Sequence, residues 1–129
     1  MDRIDIESEK DIVVARTAAR NLAGDLGFSV MNKTRIATAV SELARNVLVH
    51  GGGGYMEMEA VSNSPKTGVR CVFVDHGPGI GDIQQALSDG FSTGNSLGQG
   101  LPGAKRLVDD LQITSELGQG TRVEMVKWK

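Results

Sequence analysis

Apolar residues recur at helical spacing in two stretches of the N-terminal half of the chain. In the first stretch, which runs from Glu9 to about Leu26, they are Ile12, Ala15, Ala19, Leu22 and Leu26. Because this spacing places them on one face of a helix, the pattern predicts an amphipathic helix. Ser8, with Asp11 three residues later, fits the N-cap, and Gly27 fits the C-terminal end.

A second helix is predicted from about Asn32 to Val49. Its apolar stripe is Ile36, Val40, Leu43 and Val47. At about 100° per residue, Glu42 and Asn46 lie on one flank of that stripe, and Arg45 lies nearly opposite it. Side chains on such a flank can reach into a cleft at the edge of the core.

The middle of the chain changes to the alternating pattern of strands. A strand is predicted from Tyr55 to Val61, with Met56, Met58 and Ala60 on one face and Glu57 and Glu59 on the other. A turn is predicted over residues 62–68. The run from Val69 to Val74 is nearly all apolar, which indicates a buried central strand. Arg3 to Ile6 fits a short edge strand.

The C-terminal part predicts further helical and extended segments. Residues 83–87 fit a short helix, and residues 89–98 have no clear period and fit a loop. A helix is predicted from Leu101 to Leu111, with Leu101, Ala104, Leu107, Val108 and Leu111 facing inward. Pro102 suits the beginning of that helix, where its missing N–H has no consequence.

The last residues predict a hairpin. Leu111 to Ser115 and Thr121 to Trp128 would pair around the turn at residues 117–120. Together these elements predict one domain over residues 1–129 in the α+β class. We expect a two-layer α/β sandwich, with a mixed, mostly antiparallel sheet and helices on one face.

Composition narrows the classes of function. The formal net charge is −2, so the overall balance favours neither nucleic acid nor a membrane surface as a partner. The chain has no run long enough to span a bilayer, and its N-terminus does not resemble a signal peptide. The single cysteine, Cys71, is consistent with a reduced, cytoplasmic setting. Two histidines and one cysteine argue against a Cys/His zinc site.

The chain has 17 glycines, and several of them lie beside polar residues that can carry chemistry. Glu42 and Asn46 are four residues apart on a helix, so they can act on one ligand. An amide oxygen suits Mg²⁺, and a nearby carboxylate can accept a proton from an attacking hydroxyl. The pair is also compatible with an ordinary solvated helix face.

Asp75 follows the predicted central strand in the sequence Asp75-His76-Gly77-Pro78-Gly79-Ile80. Its carboxylate could accept a hydrogen bond from an exocyclic amine, such as N6 of adenine. Gly77 and Gly79 would let the backbone approach a flat ring. The alternative is an aspartate that stabilises a Pro-Gly turn.

Gly98, Gly100 and Gly103 form a G-x-G-x-x-G pattern. The backbone N–H groups of such a loop, followed by a helix N-terminus, make a phosphate site. A dinucleotide-binding fold is rejected, because its motif must directly follow a strand and residues 91–97 make a poor strand. A helix-initiating loop without a ligand remains the alternative.

Two further residues lie next to these segments. Thr121 opens the last predicted strand and could hydrogen-bond to a base, although threonine there can simply stabilise a hairpin. His50 ends the second helix before the run Gly51 to Gly54, and we interpret it as a helix cap rather than a reactive group.

The three motifs resemble the N, G1 and G2 boxes of the GHKL ATPase/kinase superfamily, which includes histidine kinases, type II topoisomerases and Hsp90. They are Glu42-x-x-x-Asn46, Asp75-x-Gly77-x-Gly79 and Gly98-x-Gly100-Leu101. The resemblance covers essentially the whole chain. The short length, the Gly100-Leu101-Pro102-Gly103 run and the Lys127-Trp128 ending look most like the small bacterial serine kinases that act as stressosome switches.

The resemblance implies the Bergerat fold, which binds Mg-ATP between helices and sheet. Asn46 would hold Mg²⁺, Glu42 would be the general base acting on a protein serine or threonine hydroxyl, and a lid would extend from about Gln84 to Leu97. The residues expected to contact ATP are Asp75, Gly77, Gly79, Ile80, Gly98, Gln99, Gly100, Leu101, Gly103 and Thr121.

The resemblance also implies partners. Kinases of this type phosphorylate STAS-domain proteins of the stressosome (the RsbS and RsbR types) and then activate a PP2C-type phosphatase of the RsbU type. An anti-sigma factor kinase of the RsbW or SpoIIAB type is one alternative, and a nucleotide-gated binding module without catalysis is another. The intact Glu42 argues against the binding module. A histidine-kinase catalytic domain is disfavoured, because the chain has no phosphoacceptor helix of its own.

Overall fold

The computed structural model describes residues 2–78 and 97–129. Their helices are α1 (Glu9–Asp25), α2 (Val30–Val49) and α3 (Leu97–Leu107). Their strands are β1 (Asp2–Ile6), β2 (Gly54–Asn63), β3 (Lys66–Asp75), β4 (Asp110–Glu116) and β5 (Gly120–Trp128). The predicted helix at residues 83–87 and most of the predicted loop at residues 89–98 lie outside the described residues.

The described strands form one sheet in the order β1-β2-β3-β5-β4. Every pairing among them is antiparallel, so this part of the sheet is not mixed as predicted. β3 lies between β2 and β5, which confirms the prediction of a buried central strand. The register sets Asp75, the last residue of β3, opposite Gly54 on one side and Thr121 on the other.

The helices cover one face of the sheet, which confirms the predicted two-layer α/β sandwich. The strand residues buried toward them include Met56, Met58, Val69, Cys71, Phe73, Val123 and Met125. The predicted stripe of α2 is wholly buried, and Ile12, Ala15 and Ala19 of α1 are buried as predicted. Complete burial raises the pKa of the Cys71 thiol to about 12, so this cysteine is an inert core residue.

The ends of α1 follow the chemistry that the sequence suggested. The Asp11 carboxylate accepts hydrogen bonds from the backbone N–H groups of Glu7 (2.9 Å) and Ser8 (3.1 Å), which closes the first turn. The N–H of Glu7 is the main cause that lowers the pKa of Asp11. At the other end, Gly27 has φ of +84°, as expected for a residue that ends a helix in the left-handed region.

The predicted turn of the β2–β3 hairpin is too long. The turn occupies only residues 64–65, because β2 continues to Asn63 and pairs with Lys66 at the start of β3. Ala60, on the face that Met56 and Met58 share, is exposed. Its strand β2 loses its β1 neighbour at this point, since the last pair between the two strands is Asp2 with Met58.

The boundaries of α3 also differ from the prediction. The helix ends at Leu107, and Leu111 belongs to β4. The chain leaves the helix because Asp109 joins β5: its N–H donates to the Val126 carbonyl (3.0 Å), and its carboxylate accepts from the Trp128 N–H (2.7 Å). These contacts join residues far apart in sequence, so local spacing could not show them.

The start of α3 needs a second correction. The glycine-rich segment predicted as a loop is helical from Leu97 onward, and Pro102 lies inside the helix rather than at its beginning. The hairpin of β4 and β5 forms as predicted, with residues 117–119 between the two strands.

Candidate functional site

Asp75 is the charged group around which the candidate site is built. Its side chain is only 6 % exposed at the end of β3. The Gly77 N–H donates to its Oδ1 at 2.9 Å, and the Thr121 N–H also stabilises the carboxylate. Burial raises the pKa of Asp75 above its ordinary value, and the two N–H groups and the nearby His50 oppose that rise. The Asp75 carboxylate is therefore a largely desolvated hydrogen-bond acceptor, and the two N–H groups fix its orientation.

Glycines from three separate segments pack against Asp75. A Cβ added to Gly51 would lie 2.7 Å from the carboxylate Oδ1, and one on Gly54 would lie 3.0 Å from the Asp75 Cα. Gly77 packs on Gly51 so closely that its Cβ would lie 2.6 Å from the Gly51 Cα. Gly120 has φ of +89°, and a Cβ there would overlap the Asp75 carbonyl oxygen. A side chain at Gly51 would displace the carboxylate, and side chains at the other positions would displace the main chain around it.

The sequence predicted Gly77 as a site residue, but it showed the glycines at positions 51, 54 and 120 only as a helix break and turn residues. Their shared role depends on the sheet register, which brings the segments after α2, after β3 and before β5 to one end of the sheet. The signal that could have found them is the clustering of glycines beside Asp75 and Thr121.

Helix α2 contributes Asn46 and His50 to the same place. Asn46 is 8 % exposed, and His50 follows one turn later as the C-cap residue. Among the described side chains, the buried polar atoms without a hydrogen-bond partner are Asn46 Nδ2 and His50 Nε2. Buried polar groups are normally paired, so two orphans on one helix face point to a polar ligand.

A pocket joins these residues. Its polar lining consists of Asn46, His50, Asp75 and Thr121. Its apolar walls are Leu43, Val47, Phe73, Leu101 and Val123. Apolar walls with a few fixed polar groups are typical of a site for a flat heterocycle. The cavity measures only about 10 Å³, so the walls must separate to admit a ring.

Thr121 offers a second polar atom beside Asp75. Its Oγ1 lies 3.0 Å from Ser115 Oγ, and Ser115 Oγ donates to the Gly120 carbonyl at 2.9 Å. Either hydroxyl can donate in the contact between them. A threonine hydroxyl can both donate and accept, so Thr121 can offer a ligand either kind of hydrogen bond.

The other predicted site residues differ in whether they line this pocket. Glu42 is half-buried on α2, one helical turn before Asn46, and does not line the pocket. Leu101 lines the pocket, whereas a Cβ on Gly103 would meet open space. Gly98, Gln99 and Gly100 are in the first turn of α3 as described, and backbone N–H groups at a helix N-terminus can bind an anion in place of the expected loop. Two predicted nucleotide contacts, Gly79 and Ile80, lie outside the described residues. The predicted lid from Gln84 to Leu97 also lies outside them, apart from Leu97 itself.

The donor set suits Mg²⁺ only in part. The amide oxygen of Asn46 is a suitable ligand for Mg²⁺, and the amide nitrogen of the same side chain has no hydrogen-bond partner among the described residues. Among residues 2–78 and 97–129, no three His, Cys, Asp or Glu side chains cluster as a metal site. Mg²⁺ at Asn46 would therefore take its remaining ligands from water and phosphate oxygens, which is its usual mode beside nucleotides.

Comparison with known proteins defines the class. The family model of the histidine kinase-like ATPase domain matches residues 7–127. The chain therefore belongs to the histidine kinase-like ATPase family, and ATP is the nucleotide of that class. In the described part of the chain, no helix has the length and apolar character needed to cross a membrane.

Individual relatives refine the class. The chain is 46 % identical over 123 residues to the serine/threonine-protein kinase RsbT of Bacillus subtilis (strain 168), covering 95 % of this chain and 92 % of RsbT. It is 31 % identical over 120 residues to the anti-sigma F factor of Thermoanaerobacter sp. (strain X514), covering 88 % and 82 %. These relatives confirm the predicted resemblance and the enzyme class, a protein serine/threonine kinase.

Solved structures support the fold. The RsbU and RsbW domains of Rv1364c from Mycobacterium tuberculosis superpose with a TM-score of 0.67 at 18 % identity, covering all of this chain and 33 % of that one. The mycobacterial sensor histidine kinase MprB superposes with a TM-score of 0.59 at 15 % identity, covering 98 % and 96 %. At these identities the likeness concerns the fold alone.

Proposed function

We propose that this protein transfers the γ-phosphoryl group of ATP to a serine or threonine of a STAS-domain protein. The observation that carries the proposal is the buried Asp75 carboxylate in an apolar-walled pocket shared with Asn46 and Thr121. Such a pocket fits a ligand with an amine that donates to the carboxylate and a flat ring that packs between the apolar walls. Adenine has both. The 46 % identity to RsbT supports the choice of acceptor residue.

Each residue has a defined role in this proposal. Asp75 accepts a hydrogen bond from N6 of adenine, and the pocket walls hold the ring. Gly77, Gly79, Ile80, Leu101 and Thr121 complete the adenine contacts. Gly98, Gln99, Gly100 and Gly103 belong to the phosphate-binding segment at α3, where the positive end of a helix favours anions. Asn46 would hold Mg²⁺, which supplies charge neutralisation on the phosphates when it is bound.

Glu42 is the proposed general base. It accepts the proton of the acceptor hydroxyl while the hydroxyl oxygen forms a bond to the γ-phosphorus and the bond to the β,γ-bridging oxygen breaks, which leaves ADP. The half-exposed position of Glu42, one turn from Asn46, is compatible with a protein substrate approaching from outside the nucleotide pocket. Phosphoryl transfer of this kind depends mainly on positioning and charge, with one base.

The proposed partners rest on the motif resemblance to stressosome switch kinases, and the similarity to RsbT supports them. STAS-domain proteins of the RsbS and RsbR types are the substrates, and a PP2C-type phosphatase of the RsbU type is the second partner, activated by binding. An anti-sigma factor kinase is the second candidate function, supported by the 31 % identity to an anti-sigma F factor.

Transfer of label from γ-³²P-ATP with Mg²⁺ to a purified STAS-domain protein tests the proposal. Label on a serine or threonine, dependent on Glu42, is the expected result. Failure to transfer label to any STAS protein of the same organism, with ADP binding demonstrated in the same samples, would contradict it. Co-purification with a sigma factor rather than a phosphatase would favour the anti-sigma function.

A further inference from the structure

His50 has a side chain that the proposed reaction does not yet use. Its Nε2 atom is buried and has no hydrogen-bond partner among the described residues. A buried polar nitrogen without a partner destabilises the folded protein, so a sequence that keeps one usually gains from it elsewhere. In this structure the orphan lines the pocket that also contains Asp75.

Helix capping accounts for the backbone of His50 but not for its imidazole. The His50 N–H donates to the Asn46 carbonyl at 3.0 Å, and the Gly51 N–H donates to the same carbonyl at 3.1 Å. The predicted capping role is therefore met by main-chain atoms. The ring stands one turn beyond Asn46 on the pocket side of α2, and it lines the same pocket as Asp75.

With a proton on Nε2, His50 presents a donor beside the Asp75 acceptor. Adenine carries the complementary pattern, because its N6 amine donates while the flanking ring nitrogens N1 and N7 accept. Hypoxanthine and guanine have an oxygen acceptor in place of the amine, which would oppose the Asp75 carboxylate. On the basis of the proposed function, in which adenine binds at Asp75, we propose that His50 Nε2–H donates to N1 or N7 of adenine and contributes to the selection of adenine nucleotides.

Binding of ADP, measured by calorimetry, tests this inference without requiring a protein substrate. We expect His50→Leu to bind ADP roughly 5- to 10-fold more weakly than the wild type, and His50→Gln, which retains an N–H donor, to recover most of the loss. Wild-type protein should lose a similar factor with either 1-deaza-ADP or 7-deaza-ADP. The analogue that binds the wild type more weakly should bind the His50→Leu variant with the same affinity as ADP.

Thermal unfolding separates a ligand contact from a structural role. Because Nε2 has no partner without nucleotide, His50→Leu should leave the Tm of the free protein unchanged or higher and reduce only the rise in Tm caused by ADP. His76→Gln is the matched control: His76 is exposed and acts on the Asp75 pKa less than His50 does, so its substitution should change both quantities less than His50→Leu does.

The outcomes distinguish the inference from its premise. If His50→Leu bound ADP with wild-type affinity, or if both deaza analogues were still discriminated as strongly as in the wild type, the inference would be overturned and the proposed function would stand. If wild-type protein bound no ADP, both would fail.

Discussion

Gly51 lies so close to Asp75 that a Cβ on the glycine would be 2.7 Å from Oδ1 of the carboxylate. This contact links the end of helix α2 to the end of strand β3. Gly77 also packs against the main chain of Gly51, so the two glycines bring the backbone close to one carboxylate. The position of Asp75 therefore depends on the absence of side chains around it as much as on its own hydrogen bonds.

We expect Gly51→Ala to weaken ADP binding by roughly tenfold, because the new methyl group must displace the Asp75 carboxylate. Unfolding in urea should show a loss of roughly 1–3 kcal/mol from the same overlap. Gly24→Ala is the matched control: a Cβ there makes an ordinary contact at 3.7 Å with Lys33 Cδ. That variant should gain up to about 1 kcal/mol of stability and bind ADP normally. Normal ADP binding by Gly51→Ala would show that the contact does not position Asp75.

Asp75→Asn should have opposite effects on binding and on stability. The amide keeps an oxygen for the Gly77 N–H but lacks the charge, so affinity for ADP should fall roughly 10- to 100-fold. Because burial raises the pKa of Asp75 in the folded protein, the ionised carboxylate destabilises the fold at neutral pH. The free Asp75→Asn protein should therefore have a higher Tm than the wild type at pH 7.

The pH dependence of the Tm difference tests whether Asp75→Asn stabilises the protein for this reason. Below the ordinary pKa of 3.8, Asp75 is protonated in both the folded and the unfolded states, and the Tm advantage of Asp75→Asn should vanish. The advantage should grow as pH rises through the interval between that value and the raised pKa, and then remain constant. ADP affinity of the wild type should fall as pH decreases through the raised pKa. A Tm difference that does not change with pH would contradict the explanation by burial.

The fold was largely predictable from the chain because its signals are local. The apolar stripe of α2, the capping residues Ser8 and Asp11 and the apolar run of β3 each specify one element within a few residues. The exact end of α3 was not predictable. Its apolar spacing continues past Leu107, and the helix stops only because Asp109 bonds to β5.

The candidate site was predictable in its residue types and less so in its packing. Asn46, Asp75 and Thr121 were identified from their motifs and lie around one pocket. The roles of Gly51 and of the His50 imidazole were missed, because each depends on the ends of α2 and β3 meeting in space. The resemblance to known motifs also suggested a loop at residues 98–103, where the described backbone is helical.

The open face of the sheet carries an ion-pair network that should contribute to stability. Arg70 bonds to Glu59 at 3.2 Å and to Glu124 at 2.9 Å, and its side chain is 25 % exposed. The Glu124 carboxylate is the main cause that raises the pKa of Arg70. We expect Arg70→Leu to lose roughly 1–2 kcal/mol in urea unfolding, because it leaves two partly buried carboxylates without their shared cation.

Arg45 provides the control for Arg70. It pairs with Glu9 at 3.5 Å, but the side chains are 44 % and 70 % exposed, so solvent screens the pair. Arg45→Leu should change the free energy of unfolding by less than about 0.5 kcal/mol. Equal losses for the two variants would indicate that the Arg70 network gains nothing from its partial burial.

Glu42→Gln should separate nucleotide binding from phosphoryl transfer. Glu42 does not line the pocket that contains Asp75, so the amide should leave ADP affinity within about twofold of wild type. Loss of the proposed proton acceptor should reduce transfer to a STAS-domain protein by roughly 100-fold or more. Calorimetry with ADP and single-turnover transfer from γ-³²P-ATP measure the two quantities on the same preparation. Transfer at the wild-type rate would exclude Glu42 as the base, whereas parallel loss of binding and transfer would make it a nucleotide-positioning residue.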